Sequence, residues 1–125
     1  MIVLADTSIW IDHFRVGEPT LSGLLDRGSV LSHPWIIGEI ALGSLRERAD
    51  VLGLLGALPK AAVATDDEVR WLIEHQALHG TGIGYVDAQI LASARLTPGA
   101  RIWTRDQRLS RQAGRLGRGF DQVAG

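Results

Sequence analysis

Four carboxylates draw attention by where they fall. Asp6 and Asp106 each sit just past a short apolar run that reads as a strand, residues 2–5 and 101–104. In an open parallel sheet, the C-terminal ends of the strands are where ligands bind. Asp87 stands in the first turn of a helix entered from a glycine-rich loop, a place that can face the same edge. Glu39 interrupts an apolar helix between Ile36, Ile37 and Ile40. A charge there must reach water, a partner or a cation, because burying it unpaired is costly. Helix capping accounts for Asp6, Asp87 and Asp106 taken singly. It does not account for Glu39, nor for acids that follow two different strands. Four such acids brought to one edge repel one another, and a hard divalent cation held by oxygen ligands and water relieves that repulsion. The pattern points to Mg²⁺ or Mn²⁺ and names no substrate.

Other reactive side chains carry less. His75 and His79 stand at i and i+4, a zinc-like spacing, but Gln76 takes the place of the glutamate that a helical zinc motif needs. His13 and His33 have no partners nearby in sequence and are given no role. Gly80, Gly82 and Gly84 follow a helix rather than a strand and lack a Gly-Lys-Ser/Thr ending, so they read as a connection, not a phosphate loop. Trp10, Trp35 and Trp103 lie among apolar neighbours and read as core; Trp71, beside Asp67, Glu68, Arg70 and Glu74, is the exception.

The elements that must position the acids follow from apolar periodicity and breakers. Strands are expected over 2–5, 29–32, 61–64 and 101–104. Helices are expected over 8–15, 20–27 with Gly28 closing it, 35–48, 51–58, from Thr65 or Asp66 through 79, 85–96, and from Asp106 towards 115. Alternation of this kind argues for an α/β fold in one domain over 1–125, a short parallel sheet between helices. The aliphatic residues of 21–25 and 51–58 serve either the core or a groove for a partner helix.

Composition bounds the rest. A chain of 125 residues, 46% hydrophobic and 22% charged, can bury a core of ordinary size. It has no apolar run of the ~20 residues that cross a bilayer and no basic, apolar leader at its start, so a cytoplasmic protein is expected. With no cysteine, disulfides and thiolate metal sites are excluded. The formal net charge is −1, yet arginine supplies all but one of the 13 basic residues, and seven arginines fall from Arg95 onward. Guanidinium suits phosphate oxygens, although such a run is also what a solvated helix face looks like.

Four blocks then resemble a known family in order and spacing. The opening 1–12 around Asp6, the stretch 35–43 around Glu39, the block 82–88 that holds Asp87 and the block Trp103-Thr104-Arg105-Asp106 resemble PIN-domain nucleases of the VapC toxin type. The resemblance covers nearly the whole chain. It implies a PIN fold with acids at the C-terminal edge of the strands. It also implies a metal-dependent endoribonuclease acting as the toxin of a toxin–antitoxin pair, a cognate antitoxin and a homodimer. Asp6 and Asp87 are then the foremost ligands for Mg²⁺ or Mn²⁺, with Glu39 and Asp106 acting partly through water. Thr104, with Thr7 or Ser8, would support a carboxylate or bind a phosphate oxygen. Arg105 and Arg108 are expected to contact the RNA backbone.

Rival readings fit less well. A phosphoacceptor signalling domain needs a late lysine, and none follows Lys60. A phosphatase with a nucleophilic aspartate needs a second acid two residues past Asp6, where Ser8 stands. A catalytically silent binding module has no motive while all four acids are present.

Overall fold

The computed structural model describes residues 1–121; the last four positions of the domain expected over 1–125 lie outside them. Three parallel strands, β1 (Ile2–Ala5), β2 (Val30–Leu31) and β3 (Ala100–Trp103), run in the order β2-β1-β3. Val3 pairs with Val30 on one side and Arg101 on the other, and Leu4 with Leu31 and Ile102. Covered on both faces, central β1 is an unbroken apolar run, with Val3, Leu4 and Ala5 fully buried. The chain leaves β1 for one neighbour and later crosses back to the other, so the sheet changes direction between β1 and β3. In open sheets that reversal opens a crevice at the strand ends.

Seven helices enclose the sheet among the described residues: α1 (Thr7–Val16), α2 (Pro19–Asp26), α3 (Pro34–Ala41), α4 (Arg48–Ala57), α5 (Asp66–His75), α6 (Tyr85–Leu96) and α7 (Gln107–Arg115). Local chemistry sets most of their starts. Asp6 caps α1, Asp106 caps α7, and Thr65 with Glu68 forms a reciprocal capping box on α5. Pro19 and Pro34 occupy the first helical positions of α2 and α3, where a missing N–H costs nothing. Gly28, at φ +66°, follows α2 as expected.

Three boundaries differ from the sequence reading. The strand expected over 61–64 does not form. That segment buries Ala61 and Ala64, but it meets β2 only at the Ser32–Lys60 bridge. Its backbone groups are met by α6 side chains instead: Thr97 Oγ1 accepts from Ala62 N, Ser93 Oγ accepts from Ala64 N, and Gln89 Nε2 donates to Ala64 O. The helix expected over 35–48 stops at Ala41 as α3, and the one expected over 51–58 starts earlier, at Arg48 as α4, behind Glu47, which takes φ +50°. Helix α5 ends at His75 rather than 79. Ala77 turns left-handed at φ +50°, and Leu78 N donates back to Ile73 O at 3.0 Å.

After α7 the chain turns at Gly117 and runs beside β3. Ile102 N donates to Arg118 O at 2.7 Å, Phe120 N to Ile102 O at 2.9 Å, and the Phe120 ring packs on Trp103. Among the described residues, no helix is long and apolar enough to cross a membrane.

Candidate active site

The ends of β1 and β3 are stitched together by side chains. Asp6 Oδ1 accepts from Ser8 N at 2.9 Å and from Ser8 Oγ at 2.5 Å. Asp6 Oδ2 accepts from Thr104 Oγ1 at 2.5 Å. Each hydroxyl then accepts a backbone N–H from the turn after β3: Arg105 N reaches Ser8 Oγ at 3.0 Å, and Asp106 N reaches Thr104 Oγ1 at 3.0 Å. One carboxylate, two hydroxyls and two consecutive amides thus hold β1, the start of α1 and the start of α7 in fixed relation. Of the two hydroxyls expected beside Asp6, Ser8 makes the contact. Thr7, the first residue of α1, makes none among the described residues.

Asp106 caps α7 with Oδ1, which accepts from Arg108 N at 2.8 Å and Leu109 N at 3.1 Å. Asp6 and Asp106 therefore do serve as caps, and the site is built on those caps rather than apart from them. Asp87, half-buried in the first turn of α6, accepts only a long bond from Gly84 N at 3.4 Å. Glu39 is exposed on α3, and its side chain has no hydrogen bond or ion pair among the described residues.

Electrostatics gathers these acids. Burial pushes the Asp87 carboxyl above its ordinary range; the Gly84 N–H pulls it down, and the negative charges of Asp106, Asp6 and Glu39 push it further up. The acids that act on Asp87 are the other three singled out in the sequence. A cation would reverse this repulsion, and the oxygen-only donor set suits a hard one. Among the described residues, however, no three acidic or histidine side chains close on a common point as they stand. Asp6 is turned towards Ser8 and Thr104, and Asp106 towards its helix, so water must complete any coordination.

The two arginines near the acids differ. Arg105 folds back over Trp103, with its Nε 3.1 Å from Asp12 Oδ2 and its NH2 2.6 Å from Glu18 Oε2. The carboxylates of Asp12 and Glu18 occupy the guanidinium expected to meet RNA. Arg108 reaches from α7 over the loop 80–84, its NH1 3.5 Å from Gly82 O. Gly82 takes φ +88°, which favours glycine, and a Cβ there would lie 3.1 Å from Arg108 Cδ, so the arginine side chain would have to give.

Sequence reading gave His33 no role, and here it organises the floor behind the site. This residue is fully buried at the start of α3. Its Nδ1 accepts from Trp35 N at 3.1 Å, so Nε2 carries the proton and donates to Ser93 Oγ at 2.9 Å. Ser93 in turn donates to Gln89 Oε1. Of the tryptophans expected inside, Trp10 and Trp103 are buried, whereas Trp35 is only half-buried against Tyr85. His75 stacks on Trp71 and bonds its carbonyl, which leaves no paired zinc site with His79.

The PIN domain family model matches residues 3–115. Ribonuclease VapC32 from Mycobacterium tuberculosis (strain ATCC 25618 / H37Rv) is 46% identical over 108 residues, which cover 86% of this chain and 87% of that protein. Ribonuclease VapC32 of strain CDC 1551 / Oshkosh matches to the same extent. With the fold, the acids at the strand ends and these matches in agreement, the chain belongs to the PIN-domain family, among the VapC-type ribonucleases.

Proposed function

We propose that this protein is a metal-dependent endoribonuclease, the toxin of a toxin–antitoxin pair, that hydrolyses RNA phosphodiester bonds with water. The observation that carries the reading is the network in which Ser8 and Thr104 hold Asp6 against the turn that bears Asp106, at the ends of β1 and β3, with Asp87 and Glu39 close enough for their charges to interact. Asp6 and Asp87 hold a Mg²⁺ or Mn²⁺ ion, with Glu39 and Asp106 contributing partly through water. When bound, the ion supplies an acidified water and charge stabilisation for the leaving oxygen.

The chain's own groups do the positioning. Ser8 and Thr104 fix both oxygens of Asp6; Oδ1 accepts two bonds from Ser8, while Oδ2, which accepts one from Thr104, keeps a lone pair for a cation. Glu39, exposed and unpaired, is placed to orient the attacking water and take its proton. Arg108, beside Asp106, meets a phosphate of the strand. Arg105 is better read as a clamp on the turn 104–106 than as an RNA contact. Attack by water leaves a 5′-phosphate and a 3′-hydroxyl.

A cognate antitoxin and a second copy of the chain complete the expected assembly. A cleft of about 840 Å³ between α1 and the turn before α4 includes Phe14, Val16, Leu45 and Val51 and is where we place an antitoxin segment. The test is incubation of antitoxin-free protein with total RNA in Mg²⁺ or Mn²⁺, with and without EDTA, beside Asp6→Asn. Discrete cuts bearing 5′-phosphates, lost with EDTA and with Asp6→Asn, are expected. Cyclic phosphate ends, or cleavage indifferent to EDTA, would overturn the mechanism.

A further inference from the structure

Helix α7 carries Arg108, Arg111 and Arg115 at i, i+3 and i+7, so the three project as one row along the helix. Leu109, Gln112 and Ala113 are the residues it buries. At ~1.5 Å per residue the row is about 10 Å long. It begins at the acidic edge, where Arg108 lies over Gly82 beside Asp106. It ends where Arg115 enters a cleft of about 250 Å³ between α5, α6 and α7.

That cleft is lined by two further arginines, Arg95 and Arg118, and by no carboxylate. Arg115 is held in place, its Nε donating to Gln112 Oε1 at 2.8 Å and its NH2 to Gln76 O at 2.5 Å. Arg95 lies over the exposed Trp71 ring, 4.7 Å from its centre. The guanidiniums of Arg95, Arg111 and Arg118 have no hydrogen bond or ion pair among the described residues. Beyond Arg95 the surface turns acidic at Asp67 and Glu68, which line the neighbouring cleft and bound the basic track on that side. The chain's net charge is −1, so the track is a local feature and not the overflow of a basic protein.

A single small anion would need one end of this arrangement, whereas a row that starts at the hydrolytic edge and runs along a helix suits a polyanion. We infer that α7 conducts the RNA strand away from the acidic edge: Arg108, Arg111 and Arg115 hold successive phosphates, and the flanking strand lies in the cleft of Arg95 and Arg118. The inference rests on the ribonuclease reading for its substrate, but its test does not depend on cleavage.

A fluorescein-labelled, mixed-sequence, single-stranded RNA is titrated in EDTA at several salt concentrations, and binding is read by fluorescence anisotropy. Wild type is compared with the triple variant Arg95→Gln, Arg111→Gln, Arg118→Gln, and with the same three changed to lysine. Each phosphate contact contributes ~0.7 to the slope of log K against log salt for single strands. The glutamine triple variant is therefore expected to flatten the slope by about 2, and the lysine triple variant to retain it. An oligonucleotide too short to extend past the acidic edge should bind wild type and variant alike. Should the triple variant fail to give a cooperative melt, Arg111→Gln alone, exposed and unbonded, should flatten the slope by about 0.7. An unchanged slope in a folded variant overturns the inference. So does loss of binding to a poly-glutamate peptide with RNA unaffected, which would assign the track to an acidic protein segment. Absence of EDTA-sensitive cleavage together with a flattened slope would sink the nuclease reading and leave the track standing.

Discussion

Thr104 Oγ1 donates to Asp6 Oδ2 across 98 positions of sequence, joining the end of β3 to the end of β1. Because the same oxygen accepts from Asp106 N, removing it strands an acceptor and a donor at once. Thr104→Val is expected to cost about 1–3 kcal/mol in a urea titration. It is also expected to lower cleavage about 10–100-fold, the usual effect of losing a group that orients a ligand. Thr104→Ser, which keeps the hydroxyl, should recover most of both.

Asp87 carries a stability cost in the metal-free protein. Its folded carboxyl titrates above the ordinary value of 3.8, chiefly through burial. The folded state therefore holds that proton more tightly than the unfolded chain. The associated stability is present below the unfolded value and lost as pH rises through the folded one. At neutral pH the charged group is a net burden on the metal-free protein. Asp87→Asn should raise the melting temperature in EDTA at pH 7, and should lose the further stabilisation that added Mn²⁺ gives wild type. A lower melting temperature in EDTA would contradict the argument.

His33 gives the opposite pH dependence. Burial lowers its pKa below 6.5, against a smaller upward pull from Gln89. Protonating Nδ1 would also set two donors, His33 and the Trp35 amide, against each other. The stability it contributes is complete above 6.5 and falls as pH drops through the lower folded value. Imidazole NMR should show His33 neutral at pH 6.5, and unfolding free energy should decline below that pH more steeply than in His33→Asn. A flat difference between the two proteins would remove His33 as the cause.

Arg105 tests the difference between a clamp and an RNA contact. Its partners are partly exposed, so Arg105→Ala should cost no more than about 1 kcal/mol. Cleavage should fall, because the turn 104–106 loosens, while the salt slope of RNA binding stays that of wild type. A slope reduced by ~0.7 would return Arg105 to the RNA backbone.

The acids were legible because each follows a strong local signal: an apolar strand, a glycine-rich entry, or an apolar helix with one charge in it. Fold class came from the same signals, whereas the strand order β2-β1-β3 is seen only in the structure. The misread boundaries share a cause. Leu78 is buried at the spacing that a continuing helix would give, yet it gets there through a left-handed Ala77, a position usually marked by glycine. Likewise Ala61 and Ala64 are buried like strand residues, but after Ala61 N meets Ser32 O the next bonds, from Ala62 N and Ala64 N, go to the side chains of Thr97 and Ser93 some thirty positions away. The His33–Ser93 bond spans 60 positions and leaves no trace in local pattern. Nor does sequence reveal that Asp12 and Glu18 claim Arg105, since that depends on α1 and α2 closing over the end of β3.

The segment 118–120 against β3 has a consequence for self-association. A strand with free amides and carbonyls along its outer side is a template onto which another chain can add. Here Ile102 exchanges both backbone bonds with Arg118 and Phe120, and the Phe120 ring covers Trp103. Those few residues act as a guard rail for a sheet too small to hide its own margin. Shortening the chain ahead of them would bare the backbone of Ile102 and is expected to make the protein prone to polymerise through β3.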